Sequence, residues 1–320
     1  MIDNAATLKL LTPGPNDFVE VAVLIRDGMV ESRHRGIAAL VGPDGKLIDH
    51  LGSAKRVVYP RSAVKPLQVV AMQRSGLKVT GAELAICCAS HQGTSGHIQL
   101  VESVLASAGL DSTALQCPVS WPGNPSARAK ATQETRLAFN CSGKHAGFLA
   151  GSVAAGWDIQ TYLEPSHPMQ ILAKEVLEEF SGEKVLHSTI DGCGAPLHML
   201  TVEGLARAIG KLAAEESEIV EAMLANPEVV GDTSSVDAIL MRDGLVAKLG
   251  AEGVLVVGLS DGHGLALKIA DGSLRAAPLV AVKLLHKHGL IANDVAARLN
   301  TALAVESRAG EGARGGLVAL

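Results

Sequence analysis

The chain has 320 residues, 48% of them apolar, and a formal charge of -5. That is enough apolar matter for a large core, while the lack of any concentrated run of Lys or Arg argues against nucleic acid as a partner. Aromatic residues supply only 2% of the chain, so the core must be built from small close-packed side chains, and stacking-based recognition of sugars or bases is disfavoured.

The first residues, "MIDNAATLKLLTPGP", lack the basic start and continuous apolar stretch of a signal peptide, and no segment reaches the roughly 18 apolar residues of a membrane span. A cytoplasmic protein with small-molecule partners and no membrane partner is the expectation. Five cysteines in a long chain are an odd number that disfavours a disulfide framework.

Residues 19–51 carry short β-branched runs broken by Asp27-Gly28 and Asp44-Gly45, which predicts hairpin-connected strands. From 62 to about 226 the pattern turns helical, with helices predicted over 62–75, 97–109, 144–155, 168–180, 196–211 and 215–225. Strands return after about 244 in "GVLVVGL", "GLALKIADG" and "SLRAAP", followed by helices near 279–288 and 292–304. Strands at both ends around a helical middle predict an α+β fold of sandwich type, in which one antiparallel sheet built from both chain ends carries an inserted helical subdomain. The chain 1–320 then reads as a single catalytic unit, with a sheet subdomain of approximately 19–61 plus 244–305 and a helical subdomain of approximately 62–243. The Gly-rich residues 306–320 are expected to form a flexible tail.

Chemistry-bearing residues fall at the junctions of these elements. "YPRSAVKPLQ" places Ser62 and Lys65 one helical turn apart on one face. A serine near a helix start gains from the positive end of the dipole, and a buried lysine loses proton affinity, so the pair can act as nucleophile and general base. The alternative is an N-cap serine followed by a solvated lysine. The same spacing recurs in Ser181-Gly-Glu-Lys184, where Gly182 ends a helix and should turn the lysine into solvent.

"AICCASHQGTSGH" ends an apolar run in Ser90-His91, a junction that can deliver side chains into a cleft or simply make a turn. His91 and His97 are six apart, the wrong spacing for adjacent metal ligands on a helix. "FNCSGKHAGF" and "DGCGAPLHML" each place a Gly-flanked cysteine, Cys141 and Cys193, before a predicted helix, where the dipole favours thiolate. They are either two reduced structural cysteines or half of a zinc site that His145 or a deprotonated Lys144 could complete. In "LALKIA", Lys268 lies on one face of a strand, either exposed or facing a site, and Asp271-Gly272 should make a hairpin.

Together "RSAVKPLQ", "SHQGTSGH", "CSGKHAGF", "DGCGAP" and "GLALKIADGSLRAA" resemble the L-asparaginase II family of the rhizobial type, over roughly residues 20–305. The resemblance implies a fold like that of serine β-lactamases, penicillin-binding proteins and serine glutaminases, and hydrolysis of L-asparagine to L-aspartate and ammonia by a homodimer. It also implies two catalytic pairs in one cleft, Ser62 with Lys65 and Ser90 with Lys268, with Asp191 beside them and Arg61, His91 and His145 as substrate-binding or supporting residues. Cys141, Lys144 and Cys193 are implied as ligands of a zinc ion in a positioning, non-nucleophilic role. Thr94 stands where the family pattern leads one to expect an acidic residue, and the Ser-Asp-Asn and Lys-Thr-Gly motifs of class A β-lactamases are absent. The competing readings are a serine glutaminase or penicillin-binding-like acyl hydrolase, and a non-catalytic amino-acid-binding protein.

Overall fold

The computed structural model describes residues 11–309 and 313–320. Its strands are β1 (Val19–Arg26), β2 (Met29–Val41), β3 (Leu47–Leu51), β4 (Val57–Val58), β5 (Ser188–Ile190), β6 (Pro196–His198), β7 (Leu200–Thr201), β8 (Val246–Gly250), β9 (Val254–Gly258), β10 (Gly264–Ile269), β11 (Glu306–Ala309) and β12 (Ala313–Ala319). The helices are α1 (Lys65–Arg74), α2 (Gly81–Cys88), α3 (Ser95–Ser107), α4 (Pro125–Lys130), α5 (Ser142–Ala154), α6 (Pro168–Ser181), α7 (Val202–Glu215), α8 (Ser217–Ala225), α9 (Pro227–Val230), α10 (Val236–Met241), α11 (Ala277–Lys287) and α12 (Asn293–Ala302).

This is the α+β arrangement the sequence predicts. An antiparallel sheet runs in the order β11-β12-β1-β2-β10-β9-β8, with β3 also on β2, so both ends of the chain contribute neighbouring strands. The β1–β2 turn forms because Asp27 and Gly28 both adopt positive φ, 47° and 79°, the backbone twist that a two-residue hairpin requires. Helix α7 packs on β2, β9 and β10, and α11 packs on β9, β10 and β12. Their apolar stripes and the sheet make one continuous core.

Three expectations change. Residues 313–319, placed by sequence in a flexible tail, pair with β1 from Ala22↔Ala319 to Arg26↔Gly315 and extend the sheet. Residues 196–201, predicted as the start of a helix, are strands β6 and β7, because Pro196 follows a tight turn and the helix is not N-capped until Thr201. "SLRAAP" is a bend leading into α11 rather than a strand, so Asp271-Gly272 closes no hairpin.

Two close approaches assemble the site. Helix α5 is almost wholly buried, and at Gly143 an added Cβ would lie 2.1 Å from the Ile86 carbonyl; only glycine lets its first turn reach the end of α2. At Gly250 a Cβ would lie 2.3 Å from the Pro60 carbonyl, so strand β8 touches the turn that carries Ser62.

Candidate active site

Ser62 lies in a single 3-10 turn, Arg61–Val64, that leads directly into α1. Arg61 has φ 54°, a left-handed conformation that costs a non-glycine residue on the order of 1–3 kcal/mol and persists where surrounding contacts enforce it. Here Arg61 Nε donates to Asp191 Oδ1 at 2.8 Å, and Pro60 is pinned between β8 and the Ala63 N–H, 3.1 Å from its carbonyl. Ser62 is half-buried. The N–H groups of this turn are partly committed, since Ala63 N–H bonds the Pro60 carbonyl and Lys65 N–H bonds the Ser62 carbonyl.

Lys65 is 1% exposed. Its ammonium does not bond Ser62: it donates to Ser90 Oγ at 3.1 Å and to the Ala89 carbonyl at 2.5 Å. Burial, reinforced by the charges of Lys248 and Lys144, holds its pKa below the usual 10.5, against the attraction of Cys141. The hydrogen-bonded serine–lysine pair of this structure is therefore Ser90 with Lys65. The pairing of Ser90 with Lys268 is not formed, because Lys268 Nζ is held by the carbonyls of Glu252 and of Ile269, the latter at 2.9 Å. Lys268 sits at the end of β10 beside the β8–β9 turn, whose Glu252 carbonyl, with that of the neighbouring Ile269, takes up its ammonium.

The loop after α2 that presents Ser90 is fixed by its neighbours. Ser90 N–H bonds Val230 at 2.9 Å and His91 N–H bonds Asn140 at 3.2 Å. His91 Nδ1 accepts from Gly93 N–H at 3.1 Å, so its Nε2 carries the proton and donates to Ser142 Oγ at 2.8 Å. Burial and the stacked His97 keep this ring neutral. His91 thus ties the Ser90 loop to α5 and does not face the cleft. Thr94 is the N-cap of α3, accepting from His97 N–H.

Beside Lys65 lies a thiol cluster. Cys141 is the N-cap of α5, as its sequence position predicts. Cys193 is not at a helix start: it occupies the β5–β6 turn, closed by Asp191 N–H to Ala195 at 2.9 Å with Gly194 at φ 91°. Lys144 Nζ donates to Cys193 Sγ at 3.1 Å. The hydrogen bond from Cys193, with help from the Lys65 and Lys144 charges, holds Cys141 well below its ordinary value despite burial. Cys193 is correspondingly raised, first by that same bond to Cys141 and then by burial. Burial lowers Lys144, but the two sulfurs outweigh it and its pKa is raised.

The donor chemistry fits a soft divalent ion, since two thiols and an amine converge and the neighbouring His145 Nε2 is buried without a hydrogen-bond partner. His145 Nδ1 bonds Tyr162 Oη at 2.8 Å, and burial takes its pKa down to about 4. Among the described residues no group of three or more His, Cys, Asp or Glu side chains is arranged to hold a metal, so a metal here would require the Lys144 amine.

Sequence reasoning missed Lys248. It is 0% exposed on β8, and its ammonium pairs with buried Asp237 at 2.8 Å. The available signal was a single lysine inside the apolar run "GLVAKLG".

The structure therefore brings together Lys65, Ser90, Cys141, Lys144, His145 and Cys193, carries Ser62 on the turn beside the Arg61–Asp191 pair, and leaves His91 bonded to Ser142 and Lys268 on the backbone. The family model of L-asparaginase II matches residues 22–319. The chain belongs to the L-asparaginase II family. No curated protein sequence matches it. Among solved structures, Mglu in its native form is 14% identical with a TM-score of 0.45, over 81% of this chain and 66% of that one. Mglu in its glutamate form has the same identity and TM-score, over 81% and 61%. The chain spans less than two thirds of the length of those chains. Among the described residues no helix is long and apolar enough to cross a membrane.

Proposed function

We propose that the chain is an L-asparaginase that opens the side-chain amide of asparagine through an acyl-enzyme. The observation that carries this reading is Lys65: an amine 1% exposed, below its usual pKa, touching one serine and one turn after another. In this reading Ser62, half-buried after the left-handed Arg61, attacks the carboxamide carbon, and its proton passes to neutral Lys65. Lys65 and Ser90 deliver a proton to the departing ammonia; water then takes the proton path in reverse and hydrolyses the ester. Arg61 and Asp191, whose charges already meet at 2.8 Å, are suited to the carboxylate and ammonium of an amino acid. Lys268 enters this reading only if it leaves its backbone acceptors on substrate binding.

Cys141, Cys193 and a deprotonated Lys144 would hold zinc, which when bound supplies positive charge that can polarise an oxygen. Lys144 must lose its proton to bind, so zinc uptake should release protons. Zinc content per chain should fall in Cys193→Ser. Gel filtration tests the homodimer that accompanies this reading.

The deciding experiment is ammonia release from L-asparagine and L-glutamine by the wild type, Ser62→Ala and Ser90→Ala. Release from asparagine in preference to glutamine, lost in both variants, is the expected result. Full activity in Ser62→Ala would sink the acyl-enzyme.

A further inference from the structure

Lys248 and Asp237 are the most deeply buried ion pair of the described residues, with side-chain exposures of 0% and 3%. Such a pair is weak evidence for stability, because apolar residues of similar volume often serve as well or better. Its placement is more telling. Strand β8 is one edge of the sheet, and at such an edge every second residue turns its N–H and C=O away from the sheet, where no further strand can partner them. Leu249, like Ala247, has that parity. Its N–H bonds Asp237 Oδ1 at 2.7 Å and its carbonyl accepts from Lys248 Nζ at 3.1 Å. The two side chains do for Leu249 what a further strand would do, and they neutralise each other in the process.

The next residue is Gly250, whose backbone lies against the Pro60 carbonyl and the Ala63 N–H. The edge that Lys248 and Asp237 close is thus the surface against which the Ser62 turn is built. We infer that Lys248 and Asp237 are positioning residues for the nucleophile: they hold β8 so that Gly250 fixes Pro60, and thereby the left-handed Arg61 and the direction of Ser62. The inference rests on the proposed role of Ser62, and its test separates the two.

The probes are Lys248→Met combined with Asp237→Leu, which keeps the volume apolar, the milder Asp237→Asn, and Gly250→Ala, which strikes the contact itself. Thermal melts identify the folded variants. The first readout is labelling of Ser62 by an alkyl fluorophosphonate, followed by mass spectrometry, which needs no substrate. The second is kcat and KM for ammonia release from L-asparagine. The wild type should label at Ser62, and each folded variant about tenfold or more slowly, with kcat falling in step and KM nearly unchanged. Combining Gly250→Ala with the pair variant should add little, because both act through one contact. A folded pair variant, or Asp237→Asn where the double change does not fold, that labels at the wild-type rate overturns the inference, and so does a wild type that never labels at Ser62. Labelling without ammonia release overturns the amide-hydrolysis reading instead, and the labelling rates still decide the positioning role.

Discussion

The Ser-x-x-Lys segments at Ser62 and at Ser181 have identical spacing and opposite surroundings. Ser181 closes helix α6: Gly182 behind it has φ 70°, its hydroxyl lies 3.5 Å from the Glu178 carbonyl, and Lys184 is 84% exposed and paired with Glu178. Ser62 opens a helix, and Lys65 is driven inward against Ser90. At the helix end the chain turns left-handed after the serine, so the lysine leaves along a new direction. At the helix start the left-handed residue, Arg61, comes before the serine, and the lysine stays in register with the core. Spacing offers a reactive pair; the order of turn and helix determines whether the lysine is buried.

The comparison can be broken in order of expected effect. Ser62→Ala should lower kcat for ammonia release by at least about 10³-fold, while Ser181→Ala retains the wild-type rate; equal losses would mean that the helix start confers nothing. Next, Lys65→Met should cost about 10²–10⁴-fold in kcat/KM, against less than about twofold for an exposed Lys184→Met. A pH profile sharpens this. Burial lowers the Lys65 pKa from 10.5, and the neutral amine is the active base, so kcat/KM should rise with pH through that lowered value. Lys65→Arg, which cannot deprotonate, should remove the limb with most of the activity, and a limb that survives it belongs to another group. The smallest effect is on stability: Lys184→Ala removes an exposed pair and should shift the unfolding free energy by about 0.5 kcal/mol or less in a denaturant melt.

Much of this was legible in the chain. The Asp27-Gly28 and Asp44-Gly45 turns, the sheet built from both ends, the solvent-facing Lys184 and the N-cap position of Cys141 follow from patterns readable in the sequence, whereas the hairpin expected at Asp271-Gly272 did not form. The convergence of Cys141, Lys144 and Cys193 was implied by the motifs as a set, not by any one of them. What was not legible has a common cause. The turn chemistry of Gly194 overrode the helix expected after Cys193, and residues 315–319, which composition alone assigns to a flexible tail, pair with β1. Lys248 was overlooked because one lysine in an apolar run has no local partner to announce it; Lys248 lies on strand β8 and Asp237 on helix α10.

By itself the sequence determined which residues are reactive in kind and where helices and strands begin, because hydrogen bonding in turns, caps and apolar periodicity is decided among near neighbours. Only the tertiary structure decided who faces whom: that Lys65 meets Ser90, that Lys268 is taken by backbone carbonyls, and that a buried ion pair closes the sheet edge under Ser62. An ammonium removed from water must find acceptors within about 3 Å, and in a packed interior the nearest ones come from elements far away in the chain.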